Sequence, residues 1–391
     1  MTNLRTSPVA TSATSSRLAL LDVLRGVAIL GTLLTNVWIF TAPGAEWGVF
    51  TQGTAEFSLD SFPAAVENLL RLLANGRFLA LLTILFGVGL AIQYRSAKRR
   101  DQPWPGRYRW RALFLFAEGT IHFVFVFAWD VLMGYAVTAL LVAWLLTRSA
   151  TAQSRVMWWA AGIHVSLMVL LTAALVAAES GGGEPVSREV RDLYAHGDYL
   201  DQVKFRLDNM LALRLEPVLS FCLLVFLFLL GVRLFRAGAF GADDTGRRIR
   251  ARLLLWGLGL GVPLSVVASL AGGDYFLLDR YVAGPLSALG YIGLIGLLTD
   301  RVQRTGPVLH SLICVGRTAL TGYVLQNVLC MFLAYGIGLG LAHRFGETWR
   351  PWWVIGLWAG ICLVLMVGSA LWLRRFDTGP LEALQKRALR R

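Results

Sequence analysis

Long apolar runs alternate with short polar segments along almost the whole chain. Most runs have the length, roughly 20 residues, at which an α-helix crosses a hydrocarbon core of about 30 Å. None shows the two-residue alternation of a membrane barrel strand. The pattern predicts ten spanning helices, with approximate bounds 18–40, 78–94, 112–128, 130–147, 156–178, 217–235, 253–271, 281–298, 314–342 and 350–373.

Two apolar runs are longer than a single membrane-spanning helix needs to be, so each could be one helix or two. Residues 112–147 would form a single helix about 54 Å long, far more than the membrane core needs, so a hairpin turning near Trp129 and Asp130 is predicted. The run at 308–342 begins with the polar pair Gly316-Arg317 and is interpreted as one tilted span.

Composition agrees with a membrane protein. Hydrophobic residues make up 56% of the 391, and the mean hydropathy is +0.59. The predicted fold class is therefore all-α, a polytopic helical bundle. The expected organisation is a polar tail at 1–17, a helical membrane domain at 18–376, and a basic tail at 377–391. Because residues 1–17 lack the apolar core of a secretory signal, span one is interpreted as an uncleaved anchor.

The distribution of charge predicts the orientation. Basic clusters follow every second span, at 95–109, 148–155, 247–252, 301–304 and 374–387, whereas the alternate loops are acidic or mixed. The positive-inside rule then places both termini in the cytoplasm. A multi-pass protein of the cytoplasmic (inner) membrane is expected. The net charge of +13 is mostly this topological signal, so nucleic acid is not an expected partner.

The loop at 179–216 is the longest segment on the predicted outer side. It opens with Gly181-Gly182-Gly183 and continues as a charged, helix-like stretch. It either caps an outer cavity or lies in the membrane interface, and the second alternative is favoured. The segment 64–76 before span two is similarly amphipathic.

Span one carries Asp22, Arg25 and Asn36. Charged side chains cost several kcal/mol in hydrocarbon and persist where they face protein or water. Arg25 and Asn36 are eleven positions apart, which returns a helix to within about 20° of the same face, roughly 16 Å along the axis. The spacing suggests a polar substrate track. A structural Asp22–Arg25 ion pair, with Asn36 as an interhelical contact, is the alternative.

Span three carries the second candidate group. Glu118 lies one turn before His122, Asp130 follows at the hairpin, and Arg111 precedes His122 by the same eleven positions. A neutral histidine beside a carboxylate is the usual general base near pH 7. A buried histidine bonded to a carbonyl group is the competing interpretation.

Further polar residues lie near other span ends. Arg77 begins span two, and Arg317, Thr321, Tyr323, Gln326 and Asn327 line the start of span nine. The four cysteines, Cys222, Cys314, Cys330 and Cys362, have no ligand-like spacing, so neither a metal site nor a disulfide framework is expected. Motifs of serine hydrolases, zincins and P-loop proteins do not occur.

Five segments, in order, resemble a known family. They are LDVLRGVAILGTLLTN, GRFLALLTILFGVGLA, the hairpin ending DVLMGYAV, GRTALTGYVLQN and WLRRFDTGPLEAL, spread from Leu21 to Leu384. This order is similar to that of the YeiB-like bacterial membrane proteins, the domain of unknown function 418. In that family a glycine usually precedes the hairpin aspartate, whereas Trp129 does so here.

The YeiB-like family resembles, in turn, the transmembrane acyltransferases. In the O-acyltransferase branch, an arginine of the first span is followed eleven positions later by a histidine. Here Arg25 matches and Asn36 stands at the second position, as in the heparan glucosaminide N-acetyltransferases. That branch has a histidine soon after the asparagine, whereas the first histidine here is His122.

The resemblance implies transfer of an acyl group from cytosolic acyl-CoA, acetyl-CoA included, to an outer hydroxyl or amine. The expected catalytic residues are His122, Asp130 and Asn36, and the expected substrate-binding residues are Arg25, Asp22, Arg77, Glu118, Arg317 and Gln326. Arg25 and Arg77 would hold the donor together near the cytoplasmic side, and His122, oriented by Asp130 or Glu118, would be the general base. No bound cofactor is expected. Expected partners are membrane lipids, acyl-CoA and a glycan, lipid or small-molecule acceptor, with a homodimer left open.

A transporter or lipid exporter, using Asp22, Arg25, His122 and Asp130 as a relay, is the rival hypothesis. Transporters often pair broken helices between two halves, and no such pair is visible in the sequence. The enzyme was therefore favoured on sequence grounds.

Overall fold

The computed structural model describes residues 9–52, 60–178, 186–302 and 304–389, with side chains from residue 19 onward. Residues 1–8 of the predicted N-terminal tail, and Gly181–Gly183 of the long loop, lie outside this part. Every regular element in the described ranges is helical. The helices are α1 Val9–Phe40, α2 Val49–Gln52, α3 Phe62–Ala74, α4 Arg77–Arg99, α5 Tyr108–Phe125, α6 Leu132–Leu145, α7 Ala150–Ala177, α8 Arg188–His196, α9 Tyr199–Asp208, α10 Met210–Leu213, α11 Leu215–Leu219, α12 Phe221–Arg236, α13 Asp244–Ala271, α14 Phe276–Leu278, α15 Gly284–Arg301, α16 Pro307–Arg317, α17 Ala319–Ala334, α18 Leu341–Phe345, α19 Trp352–Trp372 and α20 Pro380–Ala388.

Six of the described helices are long and apolar enough to cross a membrane, or eight if each of two bent pairs counts as one span. The protein is thus an all-helical membrane protein. A helix lies at each of the ten predicted positions, but α6 is a shorter apolar helix, so the tenfold count stays a prediction. Helix α1 begins at Val9, well inside the predicted tail, and its apolar part is Ala19–Phe40.

The bundle is built around α1, which packs against α4, α15, α16, α17 and α19. Its side chains from Leu20 to Phe40 are mostly buried. Helices α7 and α13 lie at the periphery, where most of their apolar surface faces outward, as for lipid-facing spans. Among the closest approaches is that between α4 and α12, where Gly87 and Gly231 each lie against the other helix's backbone.

The predicted hairpin at 112–147 is present. Helix α5 ends at Phe125, and the turn contains Trp129 and Asp130 before α6 begins at Leu132. Asp130 accepts hydrogen bonds from the amides of Leu132 (2.9 Å) and Met133 (3.4 Å), which have no carbonyl partner within the first turn of α6. The aspartate therefore fixes where the second helix of the hairpin starts.

The expectation of one tilted span at 314–342 is wrong. Helices α16 and α17 meet at 94° around Thr318. Gly316 lies so close to the backbone of Asp22 that no side chain would fit, and the Thr318 hydroxyl bonds back to the Cys314 carbonyl at 3.1 Å. Glu382 accepts bonds from the amides of Leu320 (2.8 Å) and Thr321 (3.3 Å), which the break leaves without carbonyl partners.

The region 377–389 is therefore part of the bundle. Its helix α20 supplies Glu382, whose carboxylate also accepts from the Thr321 hydroxyl at 2.6 Å. Arg317 bonds the Asp377 carbonyl at 3.1 Å. These contacts attach the end of the chain to the break between α16 and α17.

Candidate functional site

Three side chains from three helices form a buried polar chain in the bundle. Asn36 of α1 donates to the Asn327 amide oxygen at 3.0 Å, and Asn327 of α17 donates to His122 Nε2 of α5 at 3.0 Å. Only 2% of His122 and none of Asn327 is exposed. The chain joins residues distant in sequence, and it leaves His122 Nε2 as an acceptor and Nδ1 as the protonated nitrogen.

Glu118 is the carboxylate nearest to the other side of His122. Its Oε1 lies 3.9 Å from Nδ1, too far for a hydrogen bond. Both Nδ1 and Glu118 Oε2 are buried without a hydrogen-bond partner in the described part of the chain. The sequence interpretation of a histidine bonded to a carbonyl does not apply, because Nε2 is bonded to an amide group.

Asp130 does not orient His122 through a hydrogen bond. Its carboxylate holds the start of α6 and accepts from the Tyr323 hydroxyl at 3.2 Å. The Tyr323 ring stacks on His122, with centroids 5.3 Å apart. Tyr323 thus connects the aspartate to the histidine, which corrects the direct Asp130–His122 arrangement.

A cavity of about 1130 Å³ opens at the end of the bundle where Arg25 lies. Arg25, Arg111 and Arg317 belong to its lining, and Tyr323 lines it as well. We call it the arginine cavity. Its remaining walls are mainly apolar, with Leu82, Leu85, Phe86, Leu115 and Leu132 among them. The charge bias predicts that this end faces the cytoplasm.

Arg25 also forms the ion pair that the sequence suggested as an alternative role. Its Nη1 lies 2.8 Å from Asp22 Oδ1, and both side chains remain partly exposed. The pair and the cavity are compatible, because Arg25 lines the cavity while bonding Asp22. Arg317 lies at the same cavity, but its side chain is exposed and does not face the bundle interior.

Arg77 does not join Arg25, which is a second correction. The start of α4 packs beside the end of α1, where the Thr35 hydroxyl donates to the Ala74 carbonyl at 3.1 Å. Arg25 lies ten positions, or about 15 Å, further back along α1. The buried Arg77 guanidinium instead binds the Asn75 carbonyl, Ser265 and Asp279.

Gln326 is completely buried on α17. Neither atom of its amide has a hydrogen-bond partner among the described residues. Such a group is costly in a protein interior. The placement leaves its substrate-binding role a prediction.

Two further cavities lie beyond Tyr323. A central one of about 410 Å³ is lined by Asn36, Thr35, Tyr323 and Arg280. A larger one, of about 1090 Å³, shares Thr35 and Arg280 with it and is also lined by Trp38 and Asn75. Tyr323 is therefore common to the arginine cavity and the central cavity, and Asn36 lies just past it.

Helices α8 and α9 close the predicted outer end. Arg206 and Glu46 form a fully buried two-pronged ion pair, at 2.8 and 3.1 Å. Arg206 also bonds the carbonyl groups of Val124 (3.2 Å) and Val126 (3.5 Å), at the end of the helix that bears His122. The segment therefore packs on the bundle, which favours the capping alternative over the interfacial one.

The charges in this cap are strongly coupled. Burial favours the neutral form of Arg206, but the Glu46 carboxylate outweighs it and raises the pKa of Arg206. Burial and the same carboxylate raise the pKa of Tyr194 well above its usual value, and the Tyr194 hydroxyl donates to Glu46 at 3.2 Å. Arg206 thus stays charged and the tyrosine neutral at ordinary pH.

Two broken helices overturn the sequence argument against a transporter. Besides the 94° break at Thr318, α10–α11 and α12 form a pair bent by 42°.

The described residues hold no cluster of three or more His, Cys, Asp or Glu that could bind a metal ion, and their four cysteines are free thiols.

Sequence reasoning named Asn327 and Tyr323 without giving them roles, and it missed Glu46, Arg206 and Arg214. The signals were weak, since charged residues in a charged loop look solvent-exposed. The eleven-residue spacing from Arg111 to His122 was a usable signal: Arg111 lines the arginine cavity.

The family described as "Protein of unknown function (DUF418)" matches residues 234–391. "Uncharacterized protein YxaH" of Bacillus subtilis (strain 168) is 27% identical over 96% of this chain and 94% of its own. "Uncharacterized protein YeiB" of Escherichia coli (strain K12) is 29% identical over 93% of this chain and 94% of its own. No solved structure matches.

None of these matches carries an acyltransferase assignment, so that activity enters only as a proposal. The order of the five sequence segments, the all-helical membrane fold and the near full-length bacterial relatives agree with one another. Together these similarities support a YeiB-like family of membrane proteins.

Proposed function

We propose that the protein is an acyltransferase of the cytoplasmic membrane, which passes an acyl group from cytosolic acyl-CoA to a hydroxyl or amine on the outer side. The arginine cavity is the observation that carries the proposal. Arg25, Arg111 and Arg317 supply positive charge for the phosphates of coenzyme A, and the apolar walls suit an acyl chain.

The reaction requires one proton carrier, and His122 is the candidate. Its Nε2 takes the proton of the acceptor in place of the hydrogen bond that it receives from Asn327, while the acceptor oxygen or nitrogen bonds to the thioester carbon. The carbon–sulfur bond then breaks, and the leaving thiolate receives the proton from His122. Asn36 and Asn327 supply amide donors for the oxyanion. No side-chain nucleophile is needed, which favours direct transfer.

Tyr323 separates the donor from the histidine. It lines the arginine cavity and its ring covers His122, so turnover requires the ring to move aside. The motion would also break its bond to Asp130. Tyr323 is thus the gate between the donor cavity and the central cavity, which contains Asn36.

The test uses the purified protein in lipid nanodiscs with acetyl-CoA and palmitoyl-CoA, a membrane extract as the source of acceptor, and free thiol as readout. His122→Ala should lower turnover about 10²–10⁴-fold while donor binding persists. His164→Ala is the matched control, because His164 is also buried but bonds the Tyr281 carbonyl, at 3.2 Å, instead of Asn327. Equal activity of the His122 variant and the wild type would refute the base assignment.

A second variant tests the donor cavity itself. Arg111→Gln should raise KM for acyl-CoA and leave kcat nearly unchanged, because the phosphates are bound alike in ground and transition states. A short thioester without phosphates should not respond to this substitution. Acyl-CoA that fails to bind the wild-type protein would end the proposal.

A carrier is the second candidate, favoured by the two broken helices and by cavities on both sides of Tyr323. The two functions differ in the fate of the ligand. A carrier would deliver it unchanged into proteoliposomes, and mass spectrometry of the lumenal pool would find the thioester intact.

A further inference from the structure

Arg214 lies above the hairpin that carries the candidate site, between α10 and α11. Its Nη1 donates to the backbone carbonyl of Asp130 at 3.0 Å. Its guanidinium carbon stands 3.8 Å from the ring centroid of Phe123, the residue after His122. Two contacts therefore hold the guanidinium in one orientation over the hairpin.

The rest of this guanidinium has no partner. Nε and Nη2 are both buried, and neither makes a hydrogen bond within the described ranges. No described carboxylate oxygen lies within 4 Å of Arg214. The nearby Asp130 carboxylate is already bonded to Tyr323 and to the start of α6.

Other buried arginines of the protein differ in this respect. Arg206 pairs with Glu46 at 2.8 Å, and Arg250 pairs with Asp300 at 2.6 Å. Arg77 contacts Asp279 at 3.5 Å. A buried guanidinium is normally compensated, because an unpaired charge costs several kcal/mol. Arg214 has no carboxylate in direct contact among the described residues, and Asp130 acts on it only from beyond 4 Å.

The unpaired edge of the Arg214 guanidinium is suited to one class of ligand, an oxyanion. Nε and Nη2 project two parallel N–H groups, the geometry that binds both oxygens of a carboxylate or phosphate. Leu213 and Glu216, on either side of Arg214, line a cavity of about 610 Å³ together with Asp130 and Trp129. Arg214 is not itself among the lining residues, so the cavity reaches the segment that carries Arg214 and the Asp130 end of the hairpin.

We infer that Arg214 is the receptor for a carboxylate or phosphate group of the substrate that arrives from the outer side. The inference rests on the proposed function in one respect: it makes the acceptor an anionic molecule. Arg214 binds that group through Nε and Nη2, and Asp130 and Phe123 keep the guanidinium aimed at it. The arginine cavity for the donor is lined by other residues.

The experiment measures the melting temperature of the purified full-length protein with inorganic phosphate or acetate, against chloride at equal ionic strength. Wild type should be stabilised by phosphate or acetate, because a ligand bound to the folded state raises stability. Arg214→Gln should lose at least tenfold in anion affinity, and Arg214→Lys should recover only part, since lysine lacks the fork. Arg191→Gln, an exposed arginine of the same outer segment, should respond like the wild type.

Without added anion, Arg214→Gln should melt no lower than the wild type, because it removes a charge that has no carboxylate in contact. A merely structural Arg214 would give a lower melting temperature and no change in anion response. Retention of the anion response in Arg214→Gln would overturn the inference. So would its loss in Arg111→Gln alone, because the anion would then bind in the arginine cavity.

Two further comparisons are needed. One distinguishes a lipid headgroup from a soluble anion, and the other tests the proposed function independently of the anion site. Nanodiscs of phosphatidylglycerol against phosphatidylcholine show whether a lipid headgroup competes with free phosphate for Arg214. Competition identifies a lipid substrate, and its absence identifies a soluble one. Thioester loss from acyl-CoA is measured separately, so an Arg214-dependent anion response without thioester loss would refute the acyltransferase and leave the anion site in place.

Discussion

The Glu46–Arg206 pair allows the role of a buried charge to be measured directly. Both side chains are completely buried, and the pair is closed by two hydrogen bonds at 2.8 and 3.1 Å. Arg206→Met leaves the Glu46 carboxylate buried with only tyrosine hydroxyl groups as partners. Removing one member of such a pair costs about 3–5 kcal/mol.

The expected change in melting temperature follows from the size of the chain. An unfolding entropy of ~2.1 cal/mol/K per residue over 391 residues gives about 0.8 kcal/mol/K. Arg206→Met should therefore lower the melting temperature by roughly 4–6 °C. The double variant Glu46→Leu/Arg206→Met should recover most of this loss, because replacing both members of a buried pair is often neutral.

The assay uses the chain's own cysteines. Cys314, Cys330 and Cys362 are buried free thiols, so a thiol-reactive dye reports unfolding in detergent. Arg191→Met is the matched control, an exposed side chain in the same segment that should change stability by less than about 0.5 kcal/mol. A double variant as unstable as Arg206→Met, or a single variant as stable as the wild type, would refute the reasoning.

Three other predictions concern orientation, the span-one pair and the helix break. A membrane-impermeant thiol reagent added to intact cells should label Arg188→Cys and leave Arg100→Cys unlabelled; the opposite result reverses the orientation. If Arg25 binds the donor, a variant with both Asp22→Leu and Arg25→Leu should melt like the wild type yet consume no acyl-CoA; full activity reduces Arg25 to a structural role. Glu382→Gln should destabilise the protein by roughly 0.5–2 kcal/mol, because it weakens the cap of α17, and an unchanged melting temperature would contradict that cap.

The fold was largely predictable because apolar length is a strong signal. Spans such as 18–40 and 350–373 coincide with α1 and α19, and the turn at Trp129 and Asp130 follows from length alone. The break at Thr318 was not predictable in this way. The backbone amides that the break leaves without carbonyl partners are bound by Glu382, some sixty residues later in the chain. A hydropathy profile does not indicate such a distant partner.

The sequence predicted several residues of the candidate site but not which of them contact one another. His122, Asp130 and Asn36 do lie close together, yet Asn327 and Tyr323 make the links between them. The predicted position of Arg77 beside Arg25 was wrong. Successive spans run in opposite directions, so the start of span two lies beside the end of span one, away from Arg25. Arg214 had no signal at all, because an arginine in a charged loop normally faces water.

The sequence separation of the buried polar chain has a consequence for biosynthesis. Asn36 and its partner Asn327 are 291 residues apart. At a synthesis rate of about 5–20 residues per second, Asn36 enters the membrane roughly 15–60 s before Asn327 is made. During that interval the Asn36 amide has no native partner. It must be shielded by the insertion machinery or hydrated by water that enters the membrane. The nascent chain is therefore most vulnerable to quality-control proteases before its last third emerges from the ribosome.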